Sequence, residues 1–344
     1  MLESPPRLAS DLAAPNLQRV CIVGAGAIGS LIGASIAATG KVQVSALARG
    51  DNLTALQTSG WRMEREDGSN VQAPANASDR AEDLGPQDLV VIAVKGPALA
   101  AVAESIQPLI GPHTVVLPAM NGVPWWFCQG LPGFESGLPR IDPRGEIAAS
   151  IPFANVLGAV VHASSRMRGP GLVKHVKGKH LIIGEPQGAS SPRALAVGEL
   201  LRSAGFEVTV SDDIRHDIWF KLWGNLTMNP LSAVTGATVD RILSDAQVRA
   251  FCSAAMNEVA AVGEKIRCLI DQSPEDRHRI TEKLGAFKTS MLQDAEAGRT
   301  LELDAIVGAV RDIAQRVQVP TPNVDALFGI CRLFAQTKGL YPNE

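Results

Sequence analysis

The run RVCIVGAGAIGSLIGASIAATGKVQVSAL (19–47) constrains the fold more than any other part of this 344-residue chain. A β-rich apolar stretch, 20–23, leads straight into Gly24-Ala25-Gly26-Ala27-Ile28-Gly29. An apolar helix follows and stops near Gly40, and a second strand occupies 42–47. Strand, tight glycine turn, helix and strand form a βαβ unit whose glycines let backbone N–H groups at the helix N-terminus approach a pyrophosphate. That makes Gly24, Gly26, Ala27, Ile28 and Gly29 the expected dinucleotide contacts. DLVVIAVK (88–95) is an unbroken apolar run of strand length, as in a parallel sheet covered on both faces. A helix over 97–106 and a strand over 113–122 continue the rhythm. The expected fold is α/β, with an N-terminal Rossmann-type doubly wound parallel sheet.

Further along, 130–150 is rich in Gly and Pro and reads as a long loop. Strands are expected in NVLGAVVHAS, GLVKHVKGKH and LIIGEP, with a hairpin turn at Lys177-Gly178. A helix over 191–204 and a strand over 206–210 come next. From 214 onward only helical signals remain: 214–228, 245–270, 274–296, 300–317 and 322–336. The predicted organisation is a loose tail over 1–18, a nucleotide-binding domain over 19–212 and an all-helical domain over 213–344.

The first of these helices holds an anomaly, KLWGNLTMNP (221–230). Lys221, Asn225 and Asn229 are spaced by four, so each drifts only about 40° around a helix and the three share a face. Ile214, Ile218 and Leu222 fall on that face, and Trp219, Trp223 and Leu226 lie opposite. A helix that is apolar nearly all round is normally buried. Burying a Lys and two Asn costs several kcal/mol unless something answers them. For Asn229 a plain alternative exists, because Asn229-Pro230 can simply end the helix.

Other positions invite a functional reading. At the end of the second strand, where NAD-binding proteins place an acidic residue, stands Arg49, with Asp51 two residues on. A guanidinium suits a 2′-phosphate, so NADP is favoured over NAD. Lys95 and Asn121 fall at the carboxyl ends of predicted strands, the rim where such sheets bind ligands, although Asn121-Gly122 also reads as a turn. Glu302 borders the apolar stripe Leu303, Ile306, Val310, Ile313 and Val317 on a helical wheel, whereas Asp304 points away. It is either a first-turn acid favoured by the helix dipole or a partner for a buried cation.

Composition sets limits. A net charge of −3 gives no basic field for nucleic acid or anionic lipid. No apolar run approaches the roughly 18 residues of a membrane span. The first residues lack the apolar core of a signal peptide. Five scattered cysteines without CxxC pairs argue for a reducing, cytoplasmic setting, and the six histidines lack metal-ligand spacing, so no metal is expected.

Together the segments VGAGAIG, AVK (93–95), MNG (120–122), KLWGNLTMNPLSA and SMLQDAEAGRTLELD (290–304) resemble the ketopantoate reductase (2-dehydropantoate 2-reductase) family, over about 19–336. The resemblance implies NADPH-dependent reduction of a small 2-oxo acid, 2-dehydropantoate, to its 2-hydroxy acid. It implies Lys221 as general acid and Glu302 as the contact to the substrate hydroxyl. Asn121, Asn225, Asn229 and Ser290 fall on the family's further site positions, Lys95 on its strand-end lysine, and Arg49 on the position implied for the 2′-phosphate. The family commonly dimerises, so a homodimer is admitted. Two departures stand out: Phe287 where the family pattern has Asn, followed by Lys288 as a candidate partner for the substrate carboxylate, and Trp125 and Trp126 ahead of the 130–150 insertion. These features also admit a different branched or bulky 2-oxo acid. A non-catalytic NADP-binding redox regulator is the remaining alternative, and the intact Lys221 and Glu302 argue against it.

Overall fold

The computed structural model describes residues 16–342, so the tail expected over 1–18 lies almost wholly outside the described residues. The chain divides into two compact units. One comprises the described chain up to Met120 with Glu146–Ile214, the other Asn121–Gly145 with the chain from Arg215 onward.

The first unit runs β1 (Arg19–Val23), α1 (Ala27–Ala37), β2 (Gln43–Leu47), α2 (Gly50–Ser59), β3 (Trp61–Glu64), β4 (Asn70–Ala73), β5 (Asn76–Ser78), β6 (Gln87–Ile92), α3 (Leu99–Ser105), β7 (Ile110–Pro118), α4 (Glu146–Ser150), β8 (Gly158–Gly169), β9 (Leu172–Gly184), α5 (Pro192–Ser203) and β10 (Glu207–Ser211). The first sheet is parallel throughout, in the order β5-β2-β1-β6-β7. Val20 lies opposite Val44 and Leu89, and Ile22 opposite Ala46 and Val91. All of these are buried, as the apolar runs required.

A second, mixed sheet runs β10-β9-β3-β4, with β8 also paired to β9. Helix α1 lies against strands of both sheets, which is why eight consecutive residues of it, Gly29 to Ile36, are buried. Gly33 permits this. A Cβ there would stand 2.6 Å from the Trp61 ring of β3 and 3.0 Å from Ile22 of β1.

The hairpin differs from the expectation. Strand β9 runs unbroken through Lys177-Gly178, and the chain reverses at Pro170-Gly171 instead. Gly178 still has a left-handed φ of +75°, but the β8–β9 register shifts beside it, between His162 and Ser164. A bulge and a turn both call for positive φ, so the glycine alone did not distinguish them.

In the second unit every regular element among the described residues is helical: α6 (Ile214–Thr235), α7 (Val239–Ser244), α8 (Ala246–Lys265), α9 (Pro274–Glu282), α10 (Ser290–Glu296), α11 (Ala309–Arg316) and α12 (Pro322–Thr337). Asp245 caps α8 by accepting from Gln247 N and Val248 N at 3.0 Å. Glu258 of α8 accepts from the first backbone N–H groups of α12, at Asn323 and Val324. Three helices depart from the expected ranges. Helix α6 continues through Pro230, which the sequence marked as an end. Its last turns bury Met228 with Val239, Ile242, Leu243 and Cys252, and that burial outweighs the lost proline hydrogen bond. The helix expected over 274–296 is two, parted by Gly285 in the left-handed region and restarted by the Thr289 cap. The helix expected over 300–317 opens as a π-helical turn, Asp304–Gly308, ahead of α11. No helix among the described residues is long and apolar enough to cross a membrane.

Candidate active site

Each glycine of the motif has its own physical reason. Gly24 sits at φ +94°, and a Cβ there would lie 2.7 Å from Val94 Cγ1. Its N–H donates to Leu47 O at 3.1 Å, tying the turn to the end of β2. A Cβ on Gly29 would stand 2.0 Å from Gly24 O. Gly26 is different. Its φ of −82° suits any residue, and a Cβ would meet nothing within 4 Å. Neither backbone nor packing demands a glycine there, whereas close approach of a pyrophosphate to the first turn of α1, at Ala27 and Ile28, does. The turn therefore fits the dinucleotide implied by its sequence.

Arg49 is the exposed residue ahead of α2, two residues past β2, and its guanidinium has no ion pair or hydrogen bond among the described residues. Lys95 lies three residues beyond β6, which ends at Ile92, so it opens a 3-10 turn (Gly96–Ala98) rather than ending the strand.

In the second unit the Lys221 ammonium donates to Asn121 Oδ1 at 2.8 Å. Burial pushes Lys221 down to about 8, against the pull of the Glu302 carboxylate, so Glu302 acts on it as an opposite charge. Asn121 is held by its neighbour. Gly122 has φ +82°, and a Cβ on it would lie 2.5 Å from Ala305 O, while Val123 N donates to that carbonyl at 2.8 Å. Ala305 belongs to the π turn that follows Glu302. Lys221 of α6, Asn121 of a glycine turn and Glu302, two residues ahead of the π turn, thus come together.

Asn225 is half-buried and Asn229 is buried. Neither side-chain amide makes a hydrogen bond with the described residues, although buried amides are usually satisfied. Ser290 is exposed at the start of α10, one residue after the cap Thr289. Lys288 is exposed and paired with Glu296 at 2.6 Å. Trp125 and Trp126 are buried; Trp126 packs by Phe127, which stacks on Trp219 of α6. Among the described residues no group of three or more His, Cys, Asp or Glu is placed to hold a metal.

The sequence reading passed over three residues here. Asp304, read as pointing outward, accepts from Tyr341 Oη at 2.8 Å and from Arg140 Nη1 at 3.4 Å, while Arg140 Nε reaches Asp312 at 3.2 Å. The Asp304 side chain is 37% exposed, as the helical wheel has it; what the wheel cannot show is the partners that reach it from distant parts of the chain. The one signal available was that Tyr341 is the only tyrosine of the chain.

A profile described as ketopantoate reductase PanE/ApbA matches residues 20–188, and one described as ketopantoate reductase PanE/ApbA C terminal matches 213–335. The 2-dehydropantoate 2-reductase of Mesorhizobium japonicum is 42% identical over 325 residues, 94% of this chain and 99% of its own. A solved structure from Ralstonia solanacearum, assigned as a ketopantoate reductase, is 51% identical with a TM-score of 0.90, covering 95% of this chain and all of that one. The 2-dehydropantoate 2-reductase of Geobacter metallireducens is 27% identical with a TM-score of 0.80, over 92% of this chain and 99% of its own. With both units matched, and matched along their length, the chain belongs to the ketopantoate reductase family.

Proposed function

We propose that the protein reduces 2-dehydropantoate to pantoate with NADPH, with Lys221 as the general acid. One observation carries the reading: a half-buried lysine, whose ammonium is brought down to about 8 by desolvation, shares its helix with two asparagines whose amides the described residues leave unanswered. A small acid bearing a carbonyl and a carboxylate answers all three. Bound NADPH supplies the two-electron reducing power, held at its pyrophosphate by the Gly24–Gly29 turn and at its 2′-phosphate by Arg49, with Lys95 as a further contact.

The chain's own residues do the rest. As negative charge grows on the carbonyl oxygen, Lys221 Nζ gives it a proton, so no alkoxide has to persist. A group brought down to about 8 releases that proton near neutral pH far more readily than an ordinary lysine. Asn121 holds Nζ in place. Glu302 keeps the ammonium charged before transfer and accepts from the new hydroxyl. Asn225, Asn229 and Ser290 bind the acid's remaining oxygens.

Five free, buried cysteines support a reducing compartment, and we place the enzyme in the cytoplasm as a homodimer. The test of function is NADPH oxidation, followed by nicotinamide absorbance, against 2-dehydropantoate and a panel of other 2-oxo acids. A higher kcat/KM on another member of the panel overturns the substrate assignment. No turnover of any member overturns the enzymatic reading.

A further inference from the structure

Glu302 lies two residues ahead of the π turn, and its carbonyl accepts from Ile306 N of that turn at 3.2 Å, so its place follows that of the turn. Both of its flanks are further tied to residues near 340. On one side Leu301 N donates to Leu340 O at 3.0 Å. On the other, Asp304 accepts from the hydroxyl of Tyr341, the next residue along, at 2.8 Å. The same Asp304 oxygen accepts from Arg140, which comes from the segment between the two tryptophans and α4. Arg140 lies over the Phe328 ring at 5.2 Å and reaches Asp312 as well. Space for it is provided by Gly308, the last residue of the π turn, where a Cβ would stand 2.2 Å from Arg140 Cδ.

We propose that Arg140 and Tyr341 are positioning residues that act through Asp304 to fix the π turn and so hold Glu302 where it acts on Lys221. This inference rests on the reading of Lys221 and Glu302 given above. Its physical basis is that a π turn is rarer than the α-helical alternative and persists where the surroundings hold it. Here a cation, a hydroxyl and a missing side chain converge on that one turn. The same turn carries Ala305, the carbonyl against which Asn121-Gly122 is seated. One brace therefore serves both groups that face Lys221. Burial and the Asp304 bond push Tyr341 up to about 12, so its hydroxyl stays a donor at any working pH.

The experiment is steady-state kinetics of Tyr341→Phe and Gly308→Ala, each in the wild-type and Glu302→Gln backgrounds, over a range of pH. Tyr341→Phe removes one oxygen. Gly308→Ala displaces Arg140 without touching any charge. Each should lower kcat about tenfold, less than the ~100-fold that a misplacement of about 1 Å can cause. The KM for NADPH should stay unchanged. With Glu302 less well held, its pull on Lys221 weakens, so the fall of kcat at high pH should move to lower pH. In the Glu302→Gln background both changes should move that limb less than in the wild type, since only the seat of Asn121 is then left to disturb. Losses that simply multiply, or a limb that stays in place in Tyr341→Phe, overturn the brace. Should Gly308→Ala not fold, Tyr341→Phe decides. Lys221→Ala run alongside separates the two claims: if it keeps wild-type kcat, the underlying site reading fails; if it is inactive while Tyr341→Phe is normal, only the brace fails.

Discussion

Lys221 and Asn121, one hundred residues apart in sequence, meet at 2.8 Å, and the bond joins helix α6 to a glycine turn seated on the π turn. An amide oxygen can hold an ammonium without neutralising it. The lysine keeps a proton to give, and burial makes it ready to give it.

Loss of that donor should be severe. Lys221→Ala is expected to lower kcat by about 10²–10⁴, the usual yield of general acid catalysis. NADPH affinity, measured by fluorescence titration, should persist. Lys221→Arg should restore little, because a guanidinium does not release its proton near neutral pH. In the wild type, the rate of reduction should fall as pH rises through about 8.

The same lysine should leave a mark on stability. Unfolded, it holds its proton up to about 10.5; folded, it gives the proton up from about 8. Between those values the unfolded chain binds more protons, so this group makes stability rise with pH across that window. Its burial penalty is full below about 8 and gone above about 10.5. Lys221→Met should therefore gain most in unfolding free energy at neutral pH, by up to the order of 3 kcal/mol, with the gain shrinking toward pH 10.5. The lost bond to Asn121 reduces that figure. A gain that does not change with pH would contradict the assignment.

For the nucleotide, Arg49→Ala should weaken NADPH binding by about 1–3 kcal/mol, the scale of a charge-assisted bond, and leave NADH nearly untouched. Calorimetric titration with both cofactors checks it. Equal losses would remove Arg49 from the site.

Two glycines of one motif should fail in different ways. Gly29→Ala drives a methyl into Gly24 O and should cost about 3 kcal/mol or more in denaturant unfolding. Gly26→Ala meets open space, so it should unfold like the wild type yet bind NADPH more weakly. Comparable stability losses in both would mean that the motif is only packing.

These contrasts show what was legible in the sequence. The glycine turn could be read because close approach and positive φ select residue identity directly. The Lys221, Asn225 and Asn229 face could be read because an α-helix keeps its period through 22 residues, even past Pro230. The reversal between β8 and β9 was misplaced because Gly178 satisfies a bulge as well as a turn. Arg140 and Tyr341 could not be found at all. Their partner Asp304 lies 164 residues from one and 37 from the other, and no local pattern spans such distances.

A π turn differs from an α turn by one residue in the ring that each hydrogen bond closes. Deleting a single residue within Asp304–Gly308 would let the segment close as an α turn and take Asp304 and Ala305 away from the partners that seat them. Glu302 would keep its identity and lose its bearing. In this stretch the spacing of the chain matters along with its letters, and a single-codon deletion should cost more activity than a substitution of the same residue.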